Sequence, residues 1–236
     1  AMFLYGDGGN FQAWRADWVK IARGVRAGWT QDPELNLLVA PTWEQVKRFE
    51  QLVQHTWHRE RDDALLVFDI ETIGKMTDCV AFCVDGTITL TLPLLPQCWP
   101  GGKADAREAW RVFERLIHHP IPKGTWWGYF DVFRLERQHG WQVKKWWWDG
   151  YNLHHLLDPA DAHGLAYCAS RDLSVPYWKH ENKWDRKALA KDLQGNWHRR
   201  HEYAGKDAGY EWNLIRRYQA RLKRPWEPAW EPIWVV

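Results

Sequence analysis

Three short stretches place acidic side chains where they could act together. Asp69-Ile70-Glu71 follows directly on the apolar run Leu65-Leu66-Val67-Phe68. In extended backbone, residues two apart point the same way, so both carboxylates face one spot. Two like charges held there repel unless a cation lies between them. Phe130-Asp131 stands where a strand is expected to pass into a helix, a position where Asp is also an ordinary N-cap. Tyr203-x-x-x-Asp207 falls in a long helical stretch, and i, i+4 spacing puts phenol and carboxylate on one face. Singly, each has a bland reading as a solvated strand end, a helix cap or an amphipathic helix. The case for chemistry rests on all three, in this order.

The elements that must position these groups are legible in the surrounding pattern. Leu37 to Ala40 reads as a short strand, and Thr42-x-x-Gln45 as a capping box. Val46, Phe49, Leu52, Val53 and Trp57 then recur at helical spacing. Leu65 to Phe68 has the continuous apolarity of a buried central strand. Val80 to Val84 and Thr87 to Leu92 flank Asp85-Gly86, a strong hairpin signal. Asp105 is expected to cap a helix carrying Trp110, Phe113, Leu116 and Ile117 on one face. Gly124 to Phe130 and Val143 to Trp148 read as strands, with a helix from Asp131 to Gln138 between them and Gly140 at its end. Residues 151–157 look helical, 158–184 irregular, and 199–222 form a long closing helix. This predicts one α/β layered domain over residues 35–222, a hairpin-bearing mixed sheet with helices on both faces. Residues 1–34 read as a Gly- and Trp-rich extension, and 223–236 as a Trp/Pro-rich tail.

Composition sets wider bounds. With 32 Lys+Arg against 30 Asp+Glu, no overall basic field announces nucleic acid, although a local basic groove is compatible with that balance. Cys79, Cys83, Cys98 and Cys168 form no CxxC pair, which speaks against a zinc site or disulfide framework and for reduced cytoplasmic thiols. Cys79 and Cys83 share a strand face about 13 Å apart, beyond disulfide reach. No apolar run is long enough to span a membrane. The 20 tryptophans are several times ordinary usage and include Trp126-Trp127 and Trp146-Trp147-Trp148. Adjacent strand residues alternate sides, so some of these rings are expected at a surface or cleft.

Strand-Asp69-Ile70-Glu71-Thr72, then Gly124-x-x-x-Gly128-Tyr129-Phe130-Asp131, then Tyr203-Ala204-Gly205-Lys206-Asp207-Ala208 together resemble the DEDD exonuclease superfamily. The likeness is to its tyrosine subgroup, which includes the proofreading domain of family A DNA polymerases. Asp149-x-x-x-Leu153-x-x-x-Leu157-Asp158-Pro159 and His163-Gly164-Leu165 are similar to the stretch between that family's second and third motifs. The resemblance covers residues 35–222 and implies an RNase H-like fold and 3′→5′ hydrolysis of DNA ends to 5′-mononucleotides. It implies two divalent ions about 3.5–4 Å apart flanking the scissile phosphate. Carboxylate ligands suit Mg²⁺ or Mn²⁺ better than zinc. Asp69, Glu71 and Asp207 would hold the first ion, with Asp69 bridging to the second and Asp131 supporting that one through water. Tyr203, with Glu71, would orient the attacking water, since a phenol can both donate and accept. Ile70, Thr72, Trp126, Trp127 and Lys179 would contact substrate. No polymerase sequence follows, so the stretch looks like a stand-alone or excised exonuclease of phage type, expected in the cytoplasm of a bacterial or infected cell and serving a separate DNA polymerase.

The chain departs from that pattern near the expected cleft. Trp127 and Trp126 stand where the family carries an Asn, often preceded by Gln or His. Gly150, Tyr151, Gly209 and Glu211 are further departures. If the two tryptophans lie on a strand, one ring enters the cleft and the other the core; by resemblance the cleft ring is Trp127. Stacking on bases, packing in a Trp-rich core and a cleft reshaped for another substrate all fit. The alternatives for function are an RNA or oligoribonucleotide 3′ exonuclease and a single-strand binding module with weakened hydrolysis. His118-His119 and His154-His155 read as helix-end or surface residues, and Lys179 to Lys183 as a solvated loop or a phosphate contact.

Overall fold

A computed structural model describes Trp18, residues 21–22, 24–26, 34–173, 175 and 197–223. The 1–34 extension therefore lies largely outside the described residues. The 223–236 tail beyond Lys223 and the Lys179 to Lys183 run lie outside them altogether. Among the described residues six strands form one mixed sheet: β1 (Asn36–Leu38), β2 (Leu66–Ile73), β3 (Met76–Cys83), β4 (Ile88–Pro93), β5 (Lys123–Thr125) and β6 (Trp146–Asp149). Their order is β1-β4-β3-β2-β5-β6. The β2–β3 and β3–β4 pairings are antiparallel; β1–β4, β2–β5 and β5–β6 are parallel. The helices are α1 (Trp43–Glu60), α2 (Lys103–His118), α3 (Tyr129–His139), α4 (Gly150–Leu157), α5 (Leu165–Asp172) and α6 (Trp197–Lys223).

Alternation along β2 divides the core in two. Leu66, Phe68 and Ile70 join Val46, Phe49 and Val53 of α1 and Val112, Phe113 and Ile117 of α2. Leu65 and Val67 face the other way, onto Ala204, Ala208, Leu214 and Ile215 of α6. Asp69 and Glu71 continue the Leu65/Val67 row, so strand parity carries both toward α6. Apolar positions on both faces explain why this central strand reads as a continuous apolar run. The expectation of an α/β mixed sheet covered on both faces holds.

Local chemistry fixes the edges of these elements. Thr42 Oγ1 accepts from Gln45 N at 3.3 Å and Gln45 Oε1 from Thr42 N at 2.8 Å, the predicted capping box of α1. At the β3–β4 turn, Asp85 Oδ1 accepts from Thr87 N and Ile88 N at 2.9 and 2.8 Å. Gly86 has φ +80°, and an added Cβ would lie 2.5 Å from the Trp212 ring, so both backbone and neighbour demand glycine.

Several expectations need correction. Asp105 is not the cap of α2: that residue is Gly102, and Asp105 sits one turn in, accepting from Gly101 N at 2.7 Å and Trp43 Nε1 at 3.1 Å. Strand β5 ends at Thr125 rather than Phe130, and α3 starts at Tyr129. Strand β6 omits Val143. The stretch expected to be irregular contains α5, whose inward Leu165, Ala166, Cys168 and Ala169 repeat at helical spacing. His118 and His119 do close α2, but His154 is fully buried. It shares the inward face of α4 with Leu153, and its Nδ1 lies 2.6 Å from His163 Nδ1. Burial, with the Arg171 and His163 charges, pushes its pKa down to about 4, so it is neutral at pH 7.

Candidate active site

Close packing of α6 on the sheet brings the site together. Ala204 and Ala208 pack in one cluster with the small Cys79, Ala81 and Cys83 of β3, while Gly205 and Gly209 lie against Thr89 of β4. A Cβ on Gly209 would lie 2.6 Å from the Leu35 side chain, and one on Gly205 3.0 Å from Thr91 Oγ1. Gly209, which departs from the family pattern, is thus accounted for by close helix–sheet approach. That approach sets Asp207 against β2: ligand oxygens of Asp69, Glu71 and Asp207 all lie within 4.8 Å of one another. Asp207 is 5% exposed, and Asp69 and Glu71 are half-buried. Three carboxylates at this separation repel strongly unless protons or cations intervene.

Asp131 reaches β2 from α3. It lies in the first turn of α3 and caps no helix; its Oδ1 accepts from Ile70 N at 3.0 Å, between the two β2 carboxylates in sequence. Burial pushes its pKa up to about 7; the Ile70 N–H opposes this and the Asp149 charge adds to it. Asp149 itself accepts from Gly128 N at 2.8 Å and Asn152 N at 3.0 Å, tying the turn before α3 to the start of α4. Gly128 is needed there, because a Cβ would lie 2.0 Å from Thr125 Oγ1. Asp149 is a positioning residue that sequence reasoning noted only as part of a motif.

Tyr203 is half-buried and hydrogen-bonds Asp207. Burial, followed by the charges of Asp207, Glu71 and Asp69, drives its pKa well above the ordinary phenol value, so its hydroxyl keeps its proton. Cys79 pairs with Glu71 across β2 and β3 and is fully buried. Burial and the Asp78, Glu71 and Asp69 charges hold its thiol protonated. Asp78, Cys79 and His201 also bring ligand atoms together, but Arg200 Nε already donates to Asp78 Oδ2 at 2.8 Å. A cation is thus in place, and this group has a structural account.

The remaining expected contacts divide. The Ile70 side chain is 3% exposed in the core on the α1/α2 face, so only its backbone reaches the site. Thr72 is half-buried, and Lys179 lies outside the described residues. Trp126 and Trp127 are not on a strand. They form the turn after β5, where Trp127 has φ +57° and is 58% exposed. Trp126 turns inward instead: its Nε1 donates to His163 O at 3.0 Å and its ring lies 6.4 Å from Tyr218. A Cβ on Gly150 would be 2.4 Å from that ring, so Trp126 and Gly150, two departures from the family pattern, form one packing unit. Trp126→Ala is expected to lower stability by about 3 kcal/mol in urea unfolding, through lost packing and an orphaned carbonyl. An unchanged midpoint would place the indole outside the core.

No family model and no curated protein sequence matches this chain. Solved structures do match it. Escherichia coli RNase D, an exoribonuclease involved in structured RNA processing, aligns at 17% identity with TM-score 0.54, over 79% of this chain and 44% of that one. The catalytic core of RRP6 from Trypanosoma brucei aligns at 18% and 0.52, over 82% and 50%. Brucella melitensis NrnC with bound Mg²⁺ aligns at 21% and 0.50, over 72% and 78%. This chain spans less than half of the RNase D chain. The shared architecture is the RNase H-like fold, as expected. Among the described residues no helix is long and apolar enough to cross a membrane.

Proposed function

We propose that this chain is a divalent-metal-dependent 3′→5′ exonuclease that removes 5′-mononucleotides from single-stranded 3′ ends, RNA foremost. One observation carries the reading: Asp69, Glu71 and Asp207 converge within 4.8 Å while Asp131 is hydrogen-bonded to the β2 backbone beside them. The donor set fits Mg²⁺ or Mn²⁺, being entirely carboxylate oxygen and otherwise repulsive. Bound there, such ions neutralise charge on the scissile phosphate and lower the pKa of the attacking water.

The chain's own groups supply position and protons. Asp69, Glu71 and Asp207 would hold one cation, and Asp131 would support a second. Tyr203 donates its hydroxyl hydrogen to Asp207, leaving its oxygen lone pairs to accept a hydrogen from the attacking water. Glu71 accepts the other. Thr72 and the exposed Trp127 are the proposed contacts to the terminal nucleotide.

The sequence resemblance pointed to DNA ends and a polymerase partner. The likeness to E. coli RNase D, an exoribonuclease, instead supports RNA. Digestion of 3′- and 5′-labelled single-stranded RNA and DNA with Mg²⁺, Mn²⁺ or EDTA tests both parts. Stepwise 3′ shortening that stops in EDTA and is faster on RNA is expected. Faster DNA digestion would restore the DNA assignment, and binding without hydrolysis would reduce the chain to a binding module.

Tyr203→Phe is expected to lower kcat by about 10²-fold, with KM and metal affinity little changed, because the lost hydroxyl orients water rather than ligating metal. Unchanged turnover would remove Tyr203 from the site.

A further inference from the structure

Helix α3 buries Asp131 and Leu135 and turns a different face to solvent. Positions i, i+1, i+4, i+5 and i+8 of a helix share a face; on α3 these are Tyr129, Phe130, Phe133, Arg134 and Arg137. Tyr129, Phe130 and Phe133 are 52%, 44% and 48% exposed. Tyr129 and Phe133 stack with centroids 5.6 Å apart. The Arg134 guanidinium lies 5.4 Å over the Phe130 ring while donating to the Lys75 carbonyl at 2.8 Å. That bond ties the face to the β2–β3 turn, where the Lys75 side chain is exposed. Glu136 stands at the margin, outnumbered by Arg134, Arg137 and Lys75.

Exposed aromatic rings in contact with one another mark an interaction surface. Interleaved with arginines, they offer the two things an unpaired strand presents, base faces to stack on and phosphates to neutralise. The exposed face also begins one residue from the acidic site, since Phe130 immediately precedes Asp131. We propose that the outward face of α3 is the track for the single strand upstream of the 3′ end. Phe130 and the Tyr129/Phe133 pair stack on its bases, and Lys75, Arg134 and Arg137 meet its phosphates. The assignment rests on the exonuclease reading above and adds where the rest of the substrate lies.

The test uses the full chain and fluorescence anisotropy in EDTA, with oligouridines of about 4 and about 16 nucleotides, the range of single-strand site sizes. Phe133→Ala is expected to weaken the longer oligomer about tenfold and the shorter one much less, with Phe133→Tyr restoring most of the loss. Arg137→Ala should make the salt dependence of log affinity shallower by about 0.7, whereas Arg48→Ala, the same charge loss on α1, should not. Circular dichroism melts confirm that each variant folds. If wild type shortens 3′ ends but Phe133→Ala and Arg137→Ala bind the long oligomer undiminished, the track is overturned and the exonuclease reading stands. If wild type neither binds nor digests any oligomer, that reading falls and takes the track with it. Self-association of wild type that Phe133→Ala abolishes, with RNA affinity unchanged, would make the face a contact between copies and overturn the proposal.

Discussion

Asp207→Ala and Asp69→Ala are each expected to lower hydrolysis at least about 10³-fold, an effect equivalent to about 4 kcal/mol of transition-state stabilisation. The same substitutions should raise the melting temperature in metal-free buffer. The reason is geometric: three carboxylates whose oxygens lie within 4.8 Å repel in the folded chain, and removing one relieves that repulsion. With saturating Mg²⁺ the order should invert, because a bound ion stabilises wild type by about 2.7 kcal/mol at a hundredfold excess over Kd, and the variants lose that gain. Differential scanning calorimetry with EDTA and with Mg²⁺, beside a turnover assay on one labelled oligonucleotide, reads both effects. Full wild-type activity in EDTA, or full activity of Asp207→Ala, would end the metal assignment. Variants that lose activity and also melt lower without metal would mean that the carboxylates serve the fold.

The parts of this site legible in the sequence are those set by short-range periodicity. Asp69 and Glu71 follow from strand parity, Tyr203 and Asp207 from helical spacing, and the Asp85-Gly86 turn from its residue chemistry. What was not legible depends on contacts between distant segments. By its pattern Gly124 to Phe130 reads as a strand that would include Trp126 and Trp127. Gly128, crowded against Thr125, turns the chain there instead, and Asp149, 21 residues on, pins the turn. Asp131 resembled an N-cap because nothing local indicates that its partner is the Ile70 backbone, 61 residues away. The burial of His154 likewise depends on His163 and Tyr218, from two other segments. The aromatic face of α3 was missed for a different reason. With the helix start placed at Asp131, Tyr129 and Phe130 fell in a strand, and the shared face with Phe133, Arg134 and Arg137 could not be drawn.

Arg200→Met is expected to destabilise the fold by about 3–5 kcal/mol, the cost of leaving a buried charge without its partner. The charge is Asp78. Strand β2 pairs Glu71 with Cys79 but Thr72 with Thr77, so Asp78 is the extra residue of a bulge immediately beyond the candidate-site carboxylates. Its side chain is fully buried, accepts from Arg200 Nε at 2.8 Å and lies 3.5 Å from His201 Nε2. Burial pushes the Asp78 carboxyl up, and the hydrogen bonds and charges of His201 and Arg200 more than offset it, leaving its pKa below the ordinary 3.8. A lowered folded-state pKa contributes stability that is present above the unfolded value and lost as pH falls below about 4. Burial acts in the opposite direction on charge at His201, lowering its pKa below 6.5, so the unfolded state takes up that proton first and stability already declines below that pH. In Arg200→Met the guanidinium no longer offsets burial at Asp78 or opposes a proton on His201, so both pKa values rise. Protonation then favours the folded state, so the penalty of the substitution should shrink as pH is lowered from 7 toward 4.5. Urea unfolding of wild type and variant across that range measures it. A penalty that stays constant with pH would mean that Arg200 contributes through its aliphatic packing and not through the Asp78 charge.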